Sequence, residues 1–372
     1  MSVSPSRQGE APRRTLVTGA GGFIGRRLIA ERLQAGDEVI GLDHFRSKTP
    51  ESVWQWFHEF MPRDDSIDWQ SRLQLLPTDI RSQSDVRDAM KSVHQVFHLA
   101  AAVATRSQAL SESINVDGTR VLARSAADQP QPPTFVFASS LAAAGPRSRP
   151  SVEPDSCRPV SHYGRTKLAA EVSLAEMAGS LPVTIARPPC VFGPGDRNLL
   201  ALYQTVRYRW NVVLSKTDRY SYISVVDLIR GLVAACHRGR RLVPGEFAID
   251  GTQQNVGLYY LTDDHPVTFV ELADMIASTI NRDRVRHMQI PTFIGYAIGG
   301  VGEIVLRTTG RKMFLNLDKI REGVGGSWIC RGQRAADELS FATSAPLAQR
   351  VAETTDYYHG AGWLPAETKT VT

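Results

Sequence analysis

Thr18-Gly19-Ala20-Gly21-Gly22-Phe23-Ile24-Gly25 stands between a short apolar run, Thr15–Thr18, and a segment of helical periodicity, Ile24–Ala35. Glycines at 19, 22 and 25 give the spacing G-x-x-G-x-x-G, since Ile24 holds the last position of a strict G-x-G-x-x-G. At a strand–helix junction this pattern lets bare backbone approach a pyrophosphate, and the helix N-terminus adds unpaired N–H donors. Gly19, Gly22, Phe23, Ile24 and Gly25 are therefore candidate dinucleotide-binding residues. A plain tight turn needs neither the fourth glycine nor the carboxylate that follows. That carboxylate, Asp43, comes 24 residues after Gly19, where it can accept both hydroxyls of an NAD ribose. Arg46 and Lys48 lie just beyond and are suited to the extra phosphate of NADP. The expectation is NAD, in preference to NADP.

Outward from this loop the pattern alternates. Strands are predicted at Thr15–Thr18, Glu38–Asp43, Leu73–Thr78, Gln95–Leu99, Thr134–Ser139 and Val183–Arg187. Helices are predicted at Ile24–Ala35, Ser84–Ser92, Glu112–Asp128 and Tyr163–Ala178. Strict alternation implies right-handed crossovers and a parallel sheet covered on both faces, the doubly wound α/β class. Ser82–Asp85 and Thr268–Glu271 have capping-box spacing. After Arg187 the prolines and Gly193-Pro194-Gly195 turn the chain out of the sheet. Strands at Tyr222–Ser224, Phe247–Ile249 and Tyr259–Thr262 and a helix from Val225 to about His237 mark its return. The expected organisation is a tail at 1–13, a dinucleotide-binding domain at 14–190 rejoined at about 222–262, a cap lobe at 191–221 and 263–364, and a tail at 365–372.

Composition narrows the class. The chain of 372 residues is 42% hydrophobic and 22% charged, with a net charge of +5, ordinary for a globular protein. That charge spread over the whole chain is too weak to imply a nucleic-acid partner. Four cysteines without a C-x-x-C pair argue against a zinc ribbon or disulfide framework and suit a reducing cytoplasm. No metal site is expected. The polar N-terminal stretch lacks the apolar core of a secretory signal. The stretch Thr292–Leu306, broken by glycines and Glu303, is too short to span a bilayer. It reads as a core helix of the cap or the wall of a greasy pocket. The Trp54/Trp56/Phe57/Phe60 cluster reads as another wall or as packing.

Tyr163-Gly164-Arg165-Thr166-Lys167 opens a predicted helix and sets Tyr163 and Lys167 on one face. A tyrosine of pKa ~10 is a poor base near neutrality. An adjacent ammonium and an oxidised nicotinamide would favour its phenolate. Ser140, at the end of the fifth strand, is placed to bond the same substrate oxygen.

Together these stretches, with Thr78-Asp79-Ile80-Arg81, Phe97-His98-Leu99-Ala100-Ala101, Asn115-Val116-Asp117-Gly118-Thr119 and Arg187-Pro188-Pro189, carry a resemblance. From about Thr15 to Leu364 the chain resembles an extended short-chain dehydrogenase/reductase of the NAD-dependent epimerase/dehydratase superfamily. The resemblance implies a Rossmann fold and a catalytic set of Ser140, Tyr163 and Lys167, with Asn115 supporting the proton relay. It implies that Asp79 and Ile80 flank the adenine. Leu99, Ala100 and Ala101 would line the ribose and pyrophosphate, with Tyr163, Lys167 and Pro188 also at the cofactor. His98 is expected to be a packed strand-end residue rather than a base.

Two substrate branches stay open. Nucleotide-sugar members carry Arg-Asp-Tyr-(Ile/Val)-His-Val before an Asp-Leu; here Tyr220-Ser221-Tyr222-Ile223-Ser224-Val225 precedes Asp227-Leu228. Tyrosine stands in place of the diphosphate-gripping arginine, and Arg219 is one position off, which reverses its face on a strand. Arg187–Asp196 and Tyr260–Thr268 are similar to the branch of 3-beta-hydroxysteroid dehydrogenase and dihydroflavonol reductase. The expectation is hydride transfer to or from a secondary alcohol or ketone of a largely apolar, sterol- or flavanonol-like small molecule. The alternatives are a nucleotide-sugar 4-epimerase or dehydratase, with Arg207, Arg209, Arg282, Arg284 and Arg286 as substitute grips, and a non-catalytic NAD(P)-responsive binder. A homodimer is the expected assembly, with no membrane span.

Overall fold

The computed structural model describes residues 12–45, 48–61, 68–103, 105, 107–309 and 317–365. Both expected tails fall almost wholly outside these residues, as does Arg46. Seven parallel strands form one sheet. In chain order they are β1 (Arg14–Thr18), β2 (Glu38–Asp43), β3 (Leu73–Pro77), β4 (Gln95–His98), β5 (Thr134–Ala138), β6 (Val183–Arg187) and a late strand, Leu258–Tyr260. In space the order is late strand, β6, β5, β4, β1, β2, β3. The order reverses between β1 and β4, so their carboxyl ends flank a crevice, the site at which open parallel sheets bind ligands. All four residues of β4 and all five of β6 are buried, the apolar runs of strands covered on both faces.

Helices pack both faces. α1 (Phe23–Gln34) and the helix Val225–Arg238 share one core with Val17, Phe97 and Val136; the helices Gly118–Ala127 and His162–Ala175 share the other with Leu16, Phe135 and Ile185. α2 (Pro50–Phe60) carries the aromatic cluster. Phe57 is fully buried, Trp54 stacks on Trp69 and Trp56 stacks on Phe60. These rings fasten α2 over α1 through Arg26, 4.7 Å above Trp56. They are packing.

A separate core joins Phe192, Tyr203 and Tyr222 to Leu272, Val351 and Tyr358. Tyr222–Ser224 pairs with Cys190–Phe192 outside the main sheet. The Thr268–Glu271 capping box forms with both reciprocal bonds, opening the helix Phe269–Thr279.

Four local expectations fail for identifiable reasons. Phe247–Ile249 is not a strand, because the Asn255 side chain takes the N–H and the C=O of Ala248 that a ladder would need. The Ser82–Asp85 box does not close: Ser82 Oγ meets Ser84 Oγ, and Asp85 accepts from Ser84. The predicted helix Glu112–Asp128 is broken by a π-helical turn at Ser113–Asp117. Thr292–Leu306 is helical, as Thr292–Thr309, but it is no core helix: Phe293, Ile294, Tyr296, Ile298, Val301 and Ile304 are exposed, and Leu306 is buried.

Candidate active site

The glycine loop leaves β1 with Gly19 at φ +73° and its N–H on Leu42 O (2.8 Å). Gly25 sits so close to the loop that a Cβ there would lie 2.1 Å from Gly19 O. Phe23 and Ile24 follow Gly22, the N-cap of α1, where no side chain caps the first-turn N–H groups. Those donors and the bare cradle fit a dinucleotide pyrophosphate. Asp43 closes β2 with its carboxylate held by two backbone donors, Gly21 N at 3.0 Å and Phe45 N at 3.1 Å. The glycine loop and the Asp43 carboxylate are thus tied together. Lys48 donates to Gly21 O (3.1 Å), and burial together with the charges of Arg26 and Arg197 lowers its pKa to about 8.

Leu99 and Ala100 pass over Gly19, their N–H groups both 3.1 Å from Thr18 Oγ1. Thr18 in turn bonds His98 Nδ1 (2.7 Å), and His98 Nε2 bonds Thr119 Oγ1 (2.8 Å). Burial, with some help from Lys167, lowers the His98 pKa to about 3, so the imidazole stays neutral and ties strand to helix. Asp79 is gripped by Arg81 through Nε and Nη2, and Ile80 packs under Gly118. Ala101 is half-buried just beyond Ala100. Pro188 O accepts from Leu141 N (2.8 Å), fastening the end of β6 to the turn that carries Ser140.

Ser140 is the N-cap of a short helix, Leu141–Ala144; its hydroxyl accepts from Ala142 N (3.1 Å) and lies close enough to Tyr163 to act on the phenol. Tyr163 and Lys167 lie one turn apart on His162–Ala175, as predicted. Lys167 Nζ donates to Ala138 O (2.7 Å) and lies 4.4 Å from the centre of the Phe137 ring. Burial lowers its pKa to about 7, opposed by Glu171. Burial raises the Tyr163 pKa, Glu322 raises it further, and Ser140 works the other way. The protein's own field therefore moves the phenol away from the expected phenolate. The physical reason is desolvation and a carboxylate that the sequence reading did not place there.

The Asn115 side-chain hydrogen bonds go to neither Tyr163 nor Lys167. Set in the π-helical turn, it bridges Ala102 N (2.7 Å), Ala102 O (3.0 Å) and Thr166 Oγ1 (2.9 Å). It positions the segment after β4 against the catalytic helix.

Three contributors went unread. Glu171, fully buried, receives Arg187 Nε at 2.8 Å and the Ser139 hydroxyl. Tyr260 OH takes Arg187 Nη1 at 3.1 Å. The helix Leu317–Val324 reaches over the catalytic helix, where Asp318 accepts from His162 N (3.0 Å). Its Asp318, Lys319 and Glu322 resemble a solvated charge run in sequence, and only the fold brings Asp318 to His162 and Glu322 within range of Tyr163. Exposed Cys190 shares that neighbourhood: the charges of Lys319 and Glu322 both act on its thiol.

Arg219 donates to Pro266 O and lies 3.6 Å from Glu271. Tyr220 packs edge-on against Phe269, 4.7 Å between ring centres. Arg209, Arg282, Arg284 and Arg286 line an outer groove with Tyr208 and Trp210; Ser140, Tyr163 and Lys167 are not among its walls.

Comparison with known proteins agrees with this geometry. The model of the NAD dependent epimerase/dehydratase family matches residues 15–250. A ceramide reductase of Caulobacter vibrioides is 25% identical over 94% of this chain and 95% of its own. A UDP-glucose 4-epimerase of Thermotoga maritima, solved with UDP-glucose, superposes with TM-score 0.69 at 18% identity, covering 94% of this chain and 99% of its own. A UDP-glucuronic acid 4-epimerase of Bacillus cereus, solved with UDP-glucuronic acid and NAD, gives TM-score 0.68 at 18% identity, with the same coverage.

Proposed function

Because this chain belongs to the NAD dependent epimerase/dehydratase family, we propose that it is an oxidoreductase of a secondary alcohol or ketone on a largely apolar, lipid-like substrate. NAD is the family's cofactor, and when bound it supplies the hydride donor or acceptor. The residues of this chain do the rest. The loop Gly19–Gly25 and Asp43 hold the dinucleotide, and Leu99–Ala101 and Pro188 border it. Ser140 and Tyr163 bond the substrate oxygen. In the reducing direction Tyr163 gives its phenolic proton to that oxygen as the carbonyl carbon gains hydride. Lys167, whose pKa of about 7 lets it take or release a proton near neutrality, restores the phenol. Asn115 positions this relay. The segments 191–221 and 263–364 form the cap that encloses the substrate.

The observation that carries the substrate reading is the fate of Arg219 and Tyr220. A nucleotide-sugar enzyme must hold a diphosphate, for which arginine is the usual partner. Here Tyr220 packs on Phe269, and Arg219 is occupied by Pro266 O and Glu271. The full-length similarity to a ceramide reductase points the same way. Calorimetry with UDP in the presence of NAD tests this. No binding is expected; micromolar binding lost on mutating one of the groove arginines would favour epimerase chemistry.

A further inference from the structure

We propose that the cap carries a docking surface for an anionic phospholipid bilayer, built from the helix Thr292–Thr309 and the strand pair beside it. The inference does not depend on the identity of the substrate. Ten of the twelve large apolar side chains exposed among the described residues fall in two stretches, 208–212 and 288–304. In the helix, the usual polarity is inverted. Gly295, Gly299 and Gly302 face inward, while Phe293 is 72% exposed, Val301 57% and Ile304 63%. The helix approaches the chain beside it closely here, since a Cβ at Gly295 would lie 2.7 Å from Leu214 Cδ2. Leu306, at 4% exposure, is the large side chain of this helix that turns inward with the glycines.

The neighbouring ladder continues the same character. Trp210–Val213 pairs in parallel with Arg286–Gln289, Trp210 opposite Arg286 and Val212 opposite Met288. Paired residues share a face, and all four of these are exposed. Asn211, by contrast, is buried.

Charge selects the partner. Arg209, Arg282, Arg284 and Arg286 edge this surface, and Arg286 lies 5.6 Å from the Trp210 ring centre. Two aspartates share the groove, and Asp274 is bonded to His287 Nε2 at 3.1 Å. On the helix, Glu303 and Arg307 pair with each other, leaving its outer face apolar. Aromatic and aliphatic side chains with arginines at their margin suit the headgroup boundary of a negatively charged leaflet. No helix among the described residues is long and apolar enough to cross a bilayer, so this one lies along the surface.

Vesicle flotation of the full chain tests the proposal, without substrate. With vesicles of mixed phosphatidylcholine and phosphatidylglycerol the protein should float, and with phosphatidylcholine alone it should float far less. The triple variant Phe293→Ser, Val301→Ser, Ile304→Ser should lose at least about tenfold in partition. Arg284→Gln with Arg286→Gln should weaken only the anionic binding and its salt dependence. Thermal unfolding checks that each variant is folded. A folded wild type that stays with neither vesicle overturns the proposal. So does a concentration-dependent dimer, in the absence of lipid, that the triple variant abolishes, since the face would then belong to a second copy.

Discussion

Glu171 and Arg187 form an ion pair in which both side chains are fully buried, and Glu171 lies one helical turn from Lys167. The pair ties the catalytic helix to the end of β6. Through Ser139 it also fixes the residue just before Ser140. Both carboxylate oxygens of Glu171 are occupied, beneath the candidate site of Ser140, Tyr163 and Lys167. Removing one partner leaves the other buried and uncompensated.

Glu171→Ala is therefore expected to destabilise the fold by roughly 3–5 kcal/mol, the cost of an orphaned buried charge. Urea denaturation measures it. A change under about 1 kcal/mol would show that Arg187 finds another partner.

Lys167 gives a pH-dependent stability. Its folded pKa of about 7 lies below the ordinary lysine value of 10.5, so the unfolded chain binds the extra proton between those limits. The ammonium's burial cost is full below pH 7 and is relieved as pH rises toward 10.5. Relative to Lys167→Met, the wild type should gain stability from pH 6 to pH 9, on the order of a few kcal/mol. Parallel denaturation at the two pH values decides it; a constant difference would mean that the lysine is not desolvated.

Asp43 is the residue proposed to set the choice of dinucleotide. Its carboxylate is held by Gly21 N and Phe45 N, and a 2′-phosphate would meet it directly. Fluorescence titration should give tighter binding of NAD than of NADP, with the preference reduced in Asp43→Asn. Equal or tighter NADP binding in the wild type would mean that Lys48 dominates.

Much of this architecture could be read from the chain. The glycine loop, the acidic end of β2 and the Tyr163–Lys167 pair are local patterns, and each sits where its spacing put it. β2 and β6 match their predicted bounds because their apolar runs end at sharp turns. What could not be read is set by distant partners. Glu322 reaches Tyr163 from more than 150 residues away, and its helix has the charge spacing of a solvated surface. The π-helical turn at Asn115 answers to Ala102 and Thr166, neither of which a window along the helix contains. The apolar stretch Thr292–Leu306 departs from expectation for the opposite reason. Hydropathy gives its composition, but not which face turns inward.

In the proposed reaction Tyr163 moves the proton while an apolar carbonyl or alcohol exchanges hydride with NAD. The most direct measurement follows NADH absorbance with long-chain, ceramide-like ketones and with UDP-hexoses, for wild type and Tyr163→Phe. Turnover of the lipid ketone is expected, lowered about 10²–10⁴-fold in Tyr163→Phe with NAD binding retained. Near-wild-type turnover in that variant, or conversion of UDP-hexoses with none of the lipid ketones, would contradict it.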